Sequence, residues 1–139
     1  MQIDVFGEIA DAAFQTYKAG MAPAERGRAV RPLILEYLTE AWRQPDEGIW
    51  EVRCGRQHFV HSKVMAWVAF DRAAHDVGVK AFHEPGERWR AIADEIHAEV
   101  CERGFDRDLN SFNAGLRRQR DTCRIPSAPG RPNRCHRVQ

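Results

Sequence analysis

The densest cluster of reactive side chains is the octet Asp46-Glu47-Gly48-Ile49-Trp50-Glu51-Val52-Arg53. A carboxyl flanked by an indole and a valine is partly desolvated, and desolvation raises its pKa toward the range in which it donates a proton near neutrality. The indole also offers an apolar platform for the C–H face of a sugar ring. A protonated carboxyl beside such a platform is what a glycosidic general acid needs. The octet fits an ordinary loop equally well, with Trp50 anchored in a core and Glu51 paired to Arg53. The residues alone leave both readings open.

Other reactive groups are sparser. Cys54, His58 and His61 form C-x3-H-x2-H, three zinc-type ligands without an evident fourth, so no metal site is expected. Cys123, Cys135 and His136 lack zinc spacing. The four cysteines, at 54, 101, 123 and 135, have no tight pairing motif and read as free thiols of a reducing compartment. No phosphate- or dinucleotide-binding glycine pattern occurs, and no cofactor is expected. His75, His83 and His97 read as surface or helix-flank residues, and Met65 with Trp67 as core.

Four helical patterns must position these groups. Residues 3–20 place Ile3, Phe6, Ile9/Ala10, Ala13 and Tyr17 on one stripe, with Gly20 as a stop. Residues 24–43 place Val30, Ile34, Tyr37/Leu38 and Ala41/Trp42 together, with Pro32 inside the pattern. Ser62 reads as the N-cap of a helix to about Val77, striped by Met65, Val68/Ala69 and Arg72. Residues 86–103 carry Trp89, Ile92/Ala93, Ile96 and Val100, closed by Gly104. Between the second and third patterns lies a Pro/Gly-punctuated connection with a short extended piece at 49–53. The expectation is an all-α protein of helical hairpins with chemically loaded loops on one side. Four tryptophans are a heavy load for so few layers, which suggests part of a larger helical body.

The chain has 139 residues, 43% hydrophobic and 29% charged, which is one globular domain's worth at most. Its net charge of +1 hides a break. From Ala114 onward there are seven arginines, one acid (Asp121) and no lysine, leaving residues 1–113 at −5 against +6 for the remainder. The segment also holds three of the seven prolines and few large apolar side chains, so 114–139 reads as a disordered basic tail. It lacks the aromatic interleaving of a nucleic-acid-binding segment, and no such partner is expected. No apolar run approaches a membrane span, the longest being Val64 to Phe70, and the N-terminus has no positive n-region. A cytoplasmic protein is the default.

A resemblance sharpens the octet. Trp42 to Ala73 resembles the central signature of glycoside hydrolase family 15, the glucoamylases, glucodextranases and bacterial trehalases built on a six-hairpin (α/α) toroid. Trp42, Pro45, Asp46, Gly48, Ile49, Trp50, Glu51 and Arg53 match its first part. His58, Phe59, Ser62, Lys63, Met65, Trp67, Val68, Ala69, Asp71 and Arg72 match its second. The opening MQIDVFGEIADAAF resembles the family's preceding Q-x-D-x-Y-G-E helix through Gln2, Asp4, Gly7 and Glu8. The similarity runs from residue 2 to about 113.

The resemblance implies that Glu51 is the general acid and Trp50 the aromatic neighbour at the sugar. It places Arg53 as a sugar-hydroxyl or carboxylate contact and Asp46 as a loop brace within the same substrate-binding motif. Gln2 and Asp4 lie at the barrel mouth, as substrate contacts or bracing. Cys54 departs from the family's usual glycine; if that position needs positive φ, the change costs about 1 kcal/mol. An inverting glycosidase also needs a carboxylate roughly 6.5–9.5 Å from the acid to activate water. In the family that base comes from a later loop, and no acid in 1–113 occupies its motif. Near Phe112–Ala114 the chain leaves the family's pattern for Arg, Pro, Cys and Ser, as an out-of-frame reading of GC-rich coding sequence would.

The expectation is therefore a middle section of the toroid over 1–113, a fragment of an inverting hydrolase of α-glucosides. Trehalose comes first as substrate and short α-glucans next. The fragment would be inactive alone, or would complement the rest of the barrel as a separate chain. A partial toroid leaves helix faces uncovered, from which low solubility or a molten state follows. The alternative from another class is a helical carbohydrate-binding or interaction module that keeps Trp50 without catalysis.

Overall fold

The computed structural model describes residues 2–21, 25–48, 56–75 and 86–116. Within them the protein is all-α, as the resemblance implies. The helices are α1 (Asp4–Lys18), α2 (Glu25–Ala41), α3 (Val60–His75) and α4 (Gly86–Glu99). A π-helical turn, Val100–Gly104, extends α4, and a two-residue antiparallel hairpin follows, β1 (Phe105–Asp106) with β2 (Ser111–Phe112). No helix among the described residues is long and apolar enough to cross a membrane.

Local chemistry accounts for the helix ends. Asp4 in the first turn of α1 and Lys18 in its last complement the helix dipole. The chain then leaves through Gly20 in the left-handed region (φ +80°), while the Ala19 and Gly20 amides donate back to Gln15 and Tyr17 carbonyls. Helix α2 runs through Pro32, although a ring at that position removes one backbone hydrogen bond. The third helix corrects the expected N-cap: it begins at Val60, and Ser62 is buried inside it. Its first turn is set from a distance. The Val60 amide donates to the Ala114 carbonyl at 3.0 Å, and the Lys63 amide closes the first turn onto Phe59 at 3.1 Å.

Helix α3 is the centre of the molecule, packed against α1 on one side and α4 on the other. Its small residues Ala66, Ala69, Ala73 and Ala74 are buried and let neighbours approach closely. At the α1 contact Gly7 lies directly against the Met65 backbone. On the other side Phe70 stacks on Trp89 with ring centroids 5.7 Å apart. Leu35, Leu38 and Trp42 bring α2 into the same core. A helix with partners on two sides buries more than one stripe. Of the expected stripe on α3 only Ala69 is fully buried, while Met65, Val68 and Arg72 are half-buried. Helix α4 has the expected face, with Trp89, Ala93, Ile96 and Val100 buried.

Two polar networks tie the helices together. Asp71 is buried and accepts from Arg72 and from Arg90 of α4, each at 3.1 Å, while Arg72 also donates to Asp11 of α1 at 2.7 Å. The Asp-Arg pair of the motif is thus a three-helix tie. Lys63, 2% exposed, lies over the Trp42 indole, donates to the Trp42 carbonyl and meets Glu99 at 3.4 Å. Burial pushes the Lys63 ammonium below the ordinary lysine range, against the opposing pull of Glu99.

Ala114, Gly115 and Leu116 fall in the segment read from composition as tail. They pair with the chain entering α3: Gly115 bridges Phe59, and the Leu116 amide donates to His58 at 2.7 Å. Leu116 also packs against the core. Ordered contacts therefore reach at least residue 116.

Candidate active-site loop

The octet leaves α2 at its C-terminal end and returns to α3. Asp46 and Gln57 form an isolated antiparallel bridge, each amide donating to the other's carbonyl at 2.9 Å. That bridge closes the loop 47–56. Glu51, Trp50 and Arg53, the expected acid, sugar platform and sugar contact, lie outside the described residues, as does Cys54. The structure does place what holds the loop at its base.

The N-terminal strap of α1 meets one end of the loop. The Gln2 side-chain amide donates to the Gly48 carbonyl at 3.0 Å, and the Ile3 amide donates to Asp46 Oδ2 at 3.4 Å. Asp46 is 4% exposed, so its carboxylate serves the chain's own backbone. Gly48 has φ +63°, and a Cβ there would stand 2.6 Å from the Phe59 ring. Phe59 thus lies across the loop's first turn, from the other end of the same loop. Glu47 and Arg56 pair across the mouth at 3.5 Å.

Asp4 is buried beside this strap at 2% exposure. Its Oδ2 lies 3.9 Å from His61 Nδ1, and its Oδ1 has no hydrogen-bond partner among the described residues. His58, at the loop's exit, is held below the ordinary histidine range by burial first and by the Lys63 charge second. Beside Asp46 opens a hollow of about 620 Å³, walled by Ile3, Tyr37, Glu40, Gln44, Pro45 and Arg56 among others. No group of three or more His, Cys, Asp or Glu side chains gathers as a metal site among the described residues.

The structure thus brings together Gln2, Asp46 and Gly48 as a backbone clamp, with Asp4 buried alongside. Phe59 and Gln57 were not singled out by sequence reasoning. Phe59 lies in the motif, but its role needs the left-handed geometry of Gly48 to be seen.

Residues 1–123 match the family described as glycosyl hydrolases family 15. The chain belongs to glycosyl hydrolase family 15. Among the curated relatives of this family 15 chain is a trehalase of Thermoplasma volcanium, 42% identical over 118 residues, covering 81% of this chain and 18% of that protein. A trehalase of Mycobacterium tuberculosis is 42% identical over 105 residues, covering 76% of this chain and 15% of that protein. A trehalase of Thermoplasma acidophilum is 40% identical over 118 residues, covering 81% and 19%. The chain therefore spans less than a fifth of the length of the relatives it matches. No solved structure matches it significantly. The family match extends ten residues beyond 113 and takes in the Ala114–Leu116 pairing.

Proposed function

We propose that this chain carries the acid half of an inverting α-glucoside hydrolase, with Glu51 as the proton donor and Trp50 as its apolar neighbour at the sugar. The observation that carries this reading is the family 15 match across the Trp50-Glu51 motif, in a loop whose two ends are pinned. Trehalose is the first substrate, because the relatives named above are trehalases, and short α-glucans come next. The protein would act in the cytosol.

In the reaction Glu51 gives its proton to the glycosidic oxygen as the bond to the anomeric carbon breaks, while water attacks from the opposite face. A second carboxylate must take the water's proton. Asp46 is committed to the Ile3 amide and Asp4 is buried, so neither suits an exposed base. The chain is inactive alone under this reading, or complements a separate chain that carries the base.

Azide tests the reading, because it is already an anion and attacks without a base. Its nitrogen bonds to the anomeric carbon, the glycosidic C–O bond breaks, and the Glu51 proton leaves with the departing sugar, giving β-glucosyl azide and glucose from trehalose. The expected result is product that depends on azide and falls by about 10²-fold or more in Glu51→Gln. Trehalose binding by tryptophan fluorescence with no azide-dependent cleavage would instead favour a carbohydrate-binding module.

A further inference from the structure

Helix α4 runs into the π-helical turn Val100–Gly104, and two metal-ligating side chains meet at that junction. His97 and Cys101 are one turn apart, which puts them on the same face of the helix, and both are exposed. Cys101 Sγ lies 3.7 Å from His97 Nε2 and 4.0 Å from Nδ1. The His97 ring sits beside Trp67 of α3, with centroids 6.3 Å apart, which limits the orientations open to the imidazole. Neither residue is among those that carry the family motif, and neither takes part in the networks at Asp71 and Lys63.

The separation is informative. A tetrahedral zinc ion bonds a thiolate at about 2.3 Å and an imidazole nitrogen at about 2.0–2.1 Å, which holds sulfur and nitrogen roughly 3.6 Å apart. The observed 3.7 Å matches that spacing, so an ion enters between them with little side-chain movement. As a direct hydrogen bond the same contact is weak, because a thiol is a poor donor.

We propose that His97 and Cys101 form a two-residue site for a soft transition-metal ion of the zinc class, held by the Cys101 thiolate and His97 Nε2, with water in the remaining positions. Thiolate and imidazole together favour such an ion over magnesium or calcium. The thiol proton passes to solvent as the metal–sulfur bond forms, and no oxidant or reductant is involved. The site does not depend on the proton-donor reading. A bound ion would staple the end of α4 to the π-helical turn. The Gly104 carbonyl that closes this turn accepts the Asn113 amide at 2.8 Å, and the neighbouring Ala114 carbonyl sets the start of α3.

Cobalt(II), a spectroscopic stand-in for zinc, tests the site. The full chain with its thiols reduced is titrated while the thiolate-to-cobalt charge-transfer absorption is followed. The same titration is run on Cys101→Ser, on His97→Gln, and on a chain in which Cys54, Cys123 and Cys135 are serine. We expect the band in the unaltered chain and in the chain that keeps only Cys101, its loss in Cys101→Ser, and affinity at least about tenfold weaker in His97→Gln. Zinc should displace the cobalt and shield Cys101 from iodoacetamide, read by mass on the tryptic peptide 91–103, while magnesium does neither. Both single variants should keep the metal-free thermal midpoint, and zinc should raise the midpoint of the unaltered chain alone by a few degrees. A band absent from the unaltered chain, or undiminished in Cys101→Ser, overturns the proposal. So does a band missing from the Cys101-only chain when its circular dichroism is native. Equal affinity in His97→Gln overturns it as well, because sulfur alone would then hold the ion.

Discussion

Gly7→Ala should cost about 3 kcal/mol or more and take most of the cooperative unfolding transition with it. The added methyl would meet the Met65 carbonyl oxygen well inside contact distance and stand 2.6 Å from the carbonyl carbon. These are backbone atoms of α3, which cannot swing aside as a flexible side-chain end can. Relief requires α1 and α3 to separate along the principal contact of the molecule. Separation would also draw Asp11 away from Arg72 and loosen the three-helix tie at Asp71. Urea denaturation monitored by circular dichroism checks this. A loss under about 1 kcal/mol would mean the two helices are not held at this distance.

The second large effect belongs to the loop. Gly48→Ala places a Cβ in the left-handed region, at about 1 kcal/mol, and drives it into the Phe59 ring, at a further 1–3 kcal/mol or so. The expected total is about 2–4 kcal/mol, with formation of β-glucosyl azide lost as the turn ahead of Glu51 deforms. The two parts separate in a double variant. Phe59→Leu combined with Gly48→Ala should recover the packing part and leave the backbone strain, a coupling that independent sites would not show. Additive losses would place the Phe59 ring away from Gly48.

Helix α4 was legible in the sequence because it presents one face to one neighbour, and its spacing of Trp89, Ala93, Ile96 and Val100 is the spacing that is buried. Helix α3 was legible as a helix but not in its burial. Alanines carry little signal in a hydrophobic stripe, and here they line two interfaces at once. On α2 the spacing placed Val30 and Tyr37 on the stripe, and both are largely exposed, while Leu35 and Leu38 fill the core. A wide apolar arc does not say which of its edges faces inward. The start of α3 was misplaced because its determinant is the Ala114 carbonyl, 54 residues away, which no local cap rule reaches.

The loop was legible as chemistry and not as architecture. The motif names Gln2 and Asp46 without saying whether they touch sugar or chain. Burial and the Ile3 and Gly48 bonds show what these two side chains hold within the described residues. The arginine count from Ala114 onward pointed to a tail beginning there. Composition averages over a segment, and so it hid three residues, Ala114 to Leu116, whose backbone completes the entry to α3.

The most direct measurement is the titration of the Glu51 side-chain carboxyl by carbon-13 NMR, its resonance assigned by its disappearance in Glu51→Gln. If Glu51 is the proton donor, its carboxyl should titrate above the roughly 4.3 of a free glutamate, and should move further up when trehalose excludes water from it. A midpoint near about 4.3 that trehalose leaves unchanged would contradict the account, because it would describe a carboxylate in open water with no sugar beside it.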